Sequence, residues 1–189
     1  MKNKIILIVA MLFFTAIQAQ QTLITEPVTL EIGSIYKFKS NILNEERTLL
    51  IHLPENYENS EKEYPVIYVL DGNNHFYHAS IAVTILEENE RMPASIIVAI
   101  PNNQGTRGRD LARARDKFKQ YIKDEVISFV EKNYRTTNHK TIFGHSMAGA
   151  FVLDYLATEP SLFENYIAAS PVIQILDSEL HGKFNELFR

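Results

Sequence analysis

Apolar and polar positions alternate with a period of two in two stretches near the start of the chain. Over residues 32–42, Ile35, Lys37 and Lys39 face one way and Tyr36 and Phe38 the other, the loose alternation of an edge strand. Over residues 47–53 the alternation is sharper: Leu49, Ile51 and Leu53 share a face, His52 lies on the opposite one, and Pro54 ends the run. A short connection joins the two, which predicts an antiparallel entry hairpin. After a polar stretch at 56–63 the pattern changes. Residues 64–70 are almost wholly apolar, the mark of a strand buried on both faces, and 95–100, 141–143 and 166–169 repeat it as further buried strands. Helical spacing fills the gaps: residues 75–88, a helix reaching Tyr134 with Phe118, Ile122, Val126, Phe129 and Val130 on one face, residues 147–157, and residues 173–188. Asp71-Gly72-Asn73-Asn74 reads as a turn, and 102–115 as a long polar loop with four arginines. Strands alternating with helices predict an α/β fold, a mostly parallel sheet with helices on both faces.

The first twenty residues stand apart. Lys2 and Lys4 precede an apolar run from 5 to 17 broken only by Thr15, and Ala19 offers a small residue for cleavage. A basic head, a short apolar stretch and a small-residue site make a signal peptide over residues 1–19, which leaves one domain over 20–189. The run is shorter than the ~20 residues a membrane-spanning helix needs. Export to the periplasm or the medium, with no membrane span after signal removal, is the expectation. The chain has no cysteine, which excludes disulfides, thiol nucleophiles and cysteine-based zinc sites. A net charge of -4 without a Lys/Arg block argues against nucleic acid as a partner. No two histidines stand at zinc spacing with a carboxylate between them, so no metal site is expected; no cofactor is expected either.

The candidate chemistry is Gly144-His145-Ser146-Met147-Ala148-Gly149, between a buried strand and a helix. A serine there is held on a sharp strand-to-helix turn that projects its hydroxyl above the sheet edge. The residues two before and two after it come very close and must be small; Gly144 and Ala148 are, although the usual pattern has glycine at the second place. The bland alternative, a serine that merely caps a helix, fits the strand–helix context less well. His145 is next in sequence, but its side chain points away from its neighbour's on such a turn and reads as packing or loop support.

These residues resemble the esterase D and enterochelin-esterase-like branch of the α/β-hydrolases, which also holds feruloyl and acetylxylan esterases and mycolyltransferases. The likeness runs through 47–54, 64–74 with its L-D-G turn, 96–102, the R-x-R-D of Arg107 to Asp110, 118–136, and 141–171 with its G-H-S-M. It implies an α/β-hydrolase fold, with Ser146 as nucleophile and the backbone N–H groups of Met147 and Asn73 as an oxyanion hole. Asp71-Gly72 remains readable as an ordinary tight turn. Arg107, Arg109 and Asp110 would lie in a loop near the acyl pocket, where a surface ion pair is at least as good a reading as substrate contact. His75 and His78 take helix-start or pocket-rim places.

In this fold the triad runs serine, acid, histidine along the chain. After Ser146 the aspartates are Asp154 and Asp177 and the one histidine is His181. Asp154 is expected to face solvent or cap a neighbour. Asp177 and His181 have the right order, but four residues apart on a helical segment they fit a surface pair better than a triad. The resemblance implies two more strands and helices before the histidine, so the chain reads as an α/β-hydrolase lacking its last strands and helices. The expected function is hydrolysis of a small-molecule or carbohydrate carboxylic ester through an acyl-serine. Acyl transfer to an alcohol or sugar, or a non-catalytic fragment, are the alternatives. The signal-peptide reading predicts that N-terminal sequencing of the exported protein starts near Gln20; an intact Met1 in the cytosol contradicts it.

Overall fold

Backbone pairing between the apolar stretches builds one six-stranded sheet. The computed structural model describes residues 26–175 and Gly182. The chain divides between Glu31 and Ile32 into a leading unit and a main unit. Of the leading unit, residues 26–31 are described and carry neither helix nor strand; the expected signal peptide lies outside the described residues. In the main unit, β1 (Ser34–Ser40) and β2 (Glu45–His52) form the expected antiparallel hairpin. The remaining strands, β3 (Tyr64–Leu70), β4 (Ile96–Ile100), β5 (Thr136–His145) and β6 (Asn165–Ala169), run parallel, and β2 meets β4 antiparallel. The order across the sheet is β1-β2-β4-β3-β5-β6.

Helices cover both faces, as the alternation of patterns predicts. The helices are α1 (Gly72–Glu88), α2 (Arg115–Gln120), a π-helical stretch Tyr121–Ile127, α3 (Ser128–Asn133) and α4 (Met147–Thr158). Leu49, Ile51, Tyr68, Leu70 and Val98 meet Phe118, Ile122, Val126 and Val130 on one face, together with Phe151 and Tyr155 of α4. On the other face Val69, Ile97 and Ala99 meet Val83 of α1. All five residues of β4 are fully buried, which explains its unbroken apolar run.

Four elements differ from the sequence expectation. First, β5 is ten residues long, because polar residues 136–140 extend the backbone pairing with β3 where side chains reach solvent. That extension takes in His139. Second, α1 begins at Gly72 rather than at His75: the turn shrinks to Asp71 alone, with a left-handed backbone (φ 52°, ψ 43°). Third, the polar loop 102–115 contains a π-helical turn at Arg109–Arg113. Fourth, β6 is not a buried strand. It pairs with β5 alone and leaves Ile167 49% exposed, because it stands at the edge of the described sheet.

Charge is also buried where the pattern placed it outside. Asp154, expected at the surface, is 1% exposed, and Lys119 Nζ of α2 reaches its Oδ2 at 2.5 Å. Arg109 and Asp110 are not a surface pair either. Asp110 is 1% exposed and takes Arg47 Nη2 at 2.6 Å, Arg109 Nε at 2.7 Å and Thr106 Oγ1 at 3.0 Å. Arg109 also grips both oxygens of Glu45, at 2.6 and 3.0 Å, which holds the Glu45 carboxyl below its usual pKa despite partial burial. The Arg47 guanidinium lies 5.2 and 5.3 Å from the ring centroids of Phe118 and Tyr121. This cluster ties β2, the arginine loop and α2 together. Stranding one buried charge of such a pair costs about 3–5 kcal/mol, whereas removing both is often close to neutral. Asp110→Ala is therefore expected to lower the urea unfolding free energy by about 3 kcal/mol, and Arg47→Met with Asp110→Leu to recover about half of that loss. Equal stability of Asp110→Ala and wild type would contradict this role for the buried pair.

Candidate active site

Ser146 stands between β5 and α4 with φ 59° and ψ −117°, a region that non-glycine residues enter at a cost of about 1–3 kcal/mol. The surroundings enforce that backbone. A Cβ added to Gly144 would meet the Ala148 carbonyl oxygen at 2.3 Å and its carbon at 2.5 Å, so only glycine fits there. Ala148 is fully buried against it, so alanine satisfies the close approach although the usual pattern has glycine. The Ser146 N–H donates to Ala169 O at 2.9 Å, and its carbonyl accepts from Ala150 at 3.1 Å and Val172 at 3.1 Å. Strand β6 and the segment behind it thus hold the elbow from the far side. Ser146 makes no side-chain capping bond to α4, which disposes of the helix-cap alternative.

The second element of the expected hole is the Asp71 turn. A Cβ at Gly72 would lie 2.8 Å from Ile100 N and 2.9 Å from Ala99 C and Pro101 N, so the start of α1 is pressed against the end of β4. The Asp71 carbonyl accepts from Asn74 N–H at 2.8 Å and His75 N–H at 3.2 Å. The first N–H groups of a helix have no intrahelical acceptor, which leaves Asn73 N–H in α1 and Met147 N–H in α4 without one. Helix dipoles make both ends favourable to negative charge. The Asp71 carboxylate is 3% exposed and makes no capping bond to the helix it precedes. Arg107 Nε and Nη2 hold its two oxygens at 2.8 Å each, and Asn102 Nδ2 adds a bond to Oδ1 at 2.7 Å. The bond to Asp71 raises the Arg107 pKa above its ordinary value, against a smaller opposing effect of burial. Arg107 Nη1 lies 3.8 Å from Met147 Sδ, so one guanidinium touches Met147, one expected donor, and Asp71, two residues before the other. This pairing of Asp71 with Arg107 is the feature that residue patterns missed. A charged L-D-G turn followed by an arginine-rich loop was the available signal.

The histidines take supporting places. His145 is exposed and its ring stands edge-on to His75 at 5.9 Å, which in turn meets Phe143 at 5.8 Å. His78 joins His75 in lining an apolar groove with Ile67, Phe143, Leu86 and Ile167, in agreement with a rim position. His52 Nδ1 is 2.6 Å from Ile32 O, and His139 Nε2 is 2.9 Å from Asn165 Nδ2. Among the described residues no histidine is hydrogen-bonded to the Ser146 hydroxyl. Asp177 and His181 lie outside the described residues. Among the described residues no group of three or more histidines and carboxylates could hold a metal, and no helix is long and apolar enough to cross a membrane.

Comparison with known proteins fits this arrangement. The family model described as "Putative esterase" matches residues 40–184. The ferri-bacillibactin esterase BesA of Bacillus subtilis is 34% identical over 140 residues, covering 58% of this chain and 48% of that protein. The uncharacterised protein YjcH of the same organism is 30% identical over 146 residues, covering 72% and 60% respectively. The crystal structure of an IroE-like serine hydrolase from Shewanella oneidensis superposes with a TM-score of 0.75 at 26% identity, covering 82% of this chain and 55% of that one. The chain therefore spans about half to three-fifths of the length of these relatives. The matched span includes the sheet from β2 onward, the Asp71 turn and the Ser146 elbow, and with it the chain belongs to the esterase family of the α/β-hydrolase fold.

Proposed function

We propose that the chain carries the nucleophile and oxyanion hole of a serine carboxylic-ester hydrolase that works through an acyl-Ser146 intermediate. The observation that carries this reading is the strained Ser146 backbone, with its hydroxyl not used as a helix cap, at the start of α4. In the proposed reaction Ser146 Oγ bonds to the ester carbonyl carbon and gives its proton to a base. The carbonyl electron pair moves onto oxygen, where Met147 N–H and Asn73 N–H donate to it. The pair returns, the bond to the alkoxy oxygen breaks, and the alcohol leaves with the proton. Water then attacks the acyl-serine and releases the acid. The names of relatives make siderophore esters the first substrates to test. Export under the leading segment belongs to the same reading.

A fluorophosphonate probe is expected to label this chain at Ser146, with the adduct located by peptide mass spectrometry and lost in Ser146→Ala. Labelling that survives the substitution means that another residue is the nucleophile.

A serine hydroxyl is a weak nucleophile without a hydrogen-bonded base, and no described histidine is bonded to this one. Sites stripped of triad members retain about 10³–10⁴-fold acceleration from the oxyanion hole and binding. The 189-residue chain is expected to hydrolyse short p-nitrophenyl esters at that residual level. Full turnover lost in His181→Ala and kept in His75→Ala would instead make Ser146, Asp177 and His181 a working triad.

A further inference from the structure

Asp71 occupies the N-cap of α1, the place where an aspartate ordinarily turns its carboxylate onto the first N–H groups of its own helix. Here it makes no such bond. If it did, the carboxylate would occupy Asn73 N–H and bring a negative charge to the spot where the proposed reaction develops one. Two side chains of the loop after β4 draw it off. Arg107 takes both oxygens in a fork and Asn102 takes a second bond on Oδ1, leaving the carboxylate buried and without a bond to the helix end. The left-handed backbone of Asp71 does not require a carboxylate; glycine adopts it without strain. The loop itself is fixed by the buried pair of Asp110 with Arg47, three residues beyond Arg107.

We infer that Arg107 is a positioning residue of the oxyanion hole: its fork holds the Asp71 carboxylate off the start of α1 and so keeps Asn73 N–H open to the substrate oxygen. The inference rests on the proposed role of Ser146. Arg107 acts through Asp71, and its contact with Met147 Sδ lets the same side chain brace the other donor. Loss of the fork returns the carboxylate to the helix end, where it competes with the oxyanion for the same hydrogen. A change that removes both the fork and the carboxylate leaves the hydrogen open.

An aryl trifluoromethyl ketone tests this in the full chain without turnover. Addition of Ser146 Oγ to the ketone carbon gives a hemiketal whose oxyanion occupies the hole, and its ionisation is read from the fluorine NMR shift against pH. In wild type the hemiketal pKa should fall below that of a free trifluoromethyl hemiketal. Arg107→Ala should raise it by about one to two units, the size expected when a donor worth roughly 10²-fold is blocked. Arg107→Ala with Asp71→Gly should return it close to the wild-type value. Arg107→Lys, which keeps the charge and loses the fork, should give an intermediate rise and serves if the alanine variant does not fold. A purely structural role for Arg107 would leave the double variant worse than either single one, which overturns the inference. An adduct that depends on Ser146 but ionises at the same pH in the Arg107 variants overturns it too, and leaves the reading of Ser146 intact. No adduct in wild type, or one that survives Ser146→Ala, removes that reading and the inference together.

Discussion

The contact between Gly144 and the carbonyl of Ala148 is the constraint around which the candidate site is arranged. A chain leaving a parallel strand and turning at once into a helix must bring those two positions within a distance that excludes any Cβ on the first. Ser146, at the apex, is driven to positive φ and its backbone is used up in bonds to Ala169, Ala150 and Val172. Nothing in the local sequence favours that conformation for a serine; neighbouring strands and the packed helix impose it. Strain of this kind persists where the rest of the fold over-determines it, and β6 is the part that does so from the side opposite to β3.

Buried charge connects this apex to the remainder of the sheet. Arg47 in β2, Asp110 in the arginine loop and Phe118 and Tyr121 of the long helix form one cluster, and Asp71, Arg107 and Asn102 form a second a few residues away along the same loop. Each carboxylate has at least two donors, which is the condition for burying it without a large penalty. The loop after β4 has little apolar content of its own. Its conformation comes from these ion pairs, and through them the hairpin at one side of the sheet bears on a turn near the middle.

Elements buried on both faces were legible because burial dictates composition: β3 and β4 could hardly be anything but apolar runs. The elbow was legible because close approach admits only small residues. Residues 136–140 were not, since a strand extension that pairs its backbone while its side chains reach solvent leaves no periodic trace. The charged clusters were hidden for a different reason. Arg47 lies 63 positions from Asp110, and Lys119 lies 35 from Asp154, beyond the reach of any local pattern. A hint was present in β2, where Arg47 shares the face of Leu49 and Ile51; a cation on an apolar face needs a buried partner. The same distance hid the bond of Asp71 to Arg107, 36 positions apart.

The order of the strands has a consequence for how the chain acquires its shape. β3 lies at the heart of the sheet, yet one of its two neighbours, β5, follows it by roughly seventy residues, and closing a loop of that size is an entropic cost met before any of the contacts form. As the polypeptide is synthesised, the entry hairpin, β3 and β4 can associate early, but one edge of β3 stays open until β5 emerges. The serine turn follows β5 directly and is braced by β6, so it cannot take form until both of those strands have emerged. A nascent chain of this topology carries an apolar strand with one unpaired edge until β5 emerges, and slow, aggregation-exposed maturation follows from the wiring of the sheet rather than from any weakness in its finished packing.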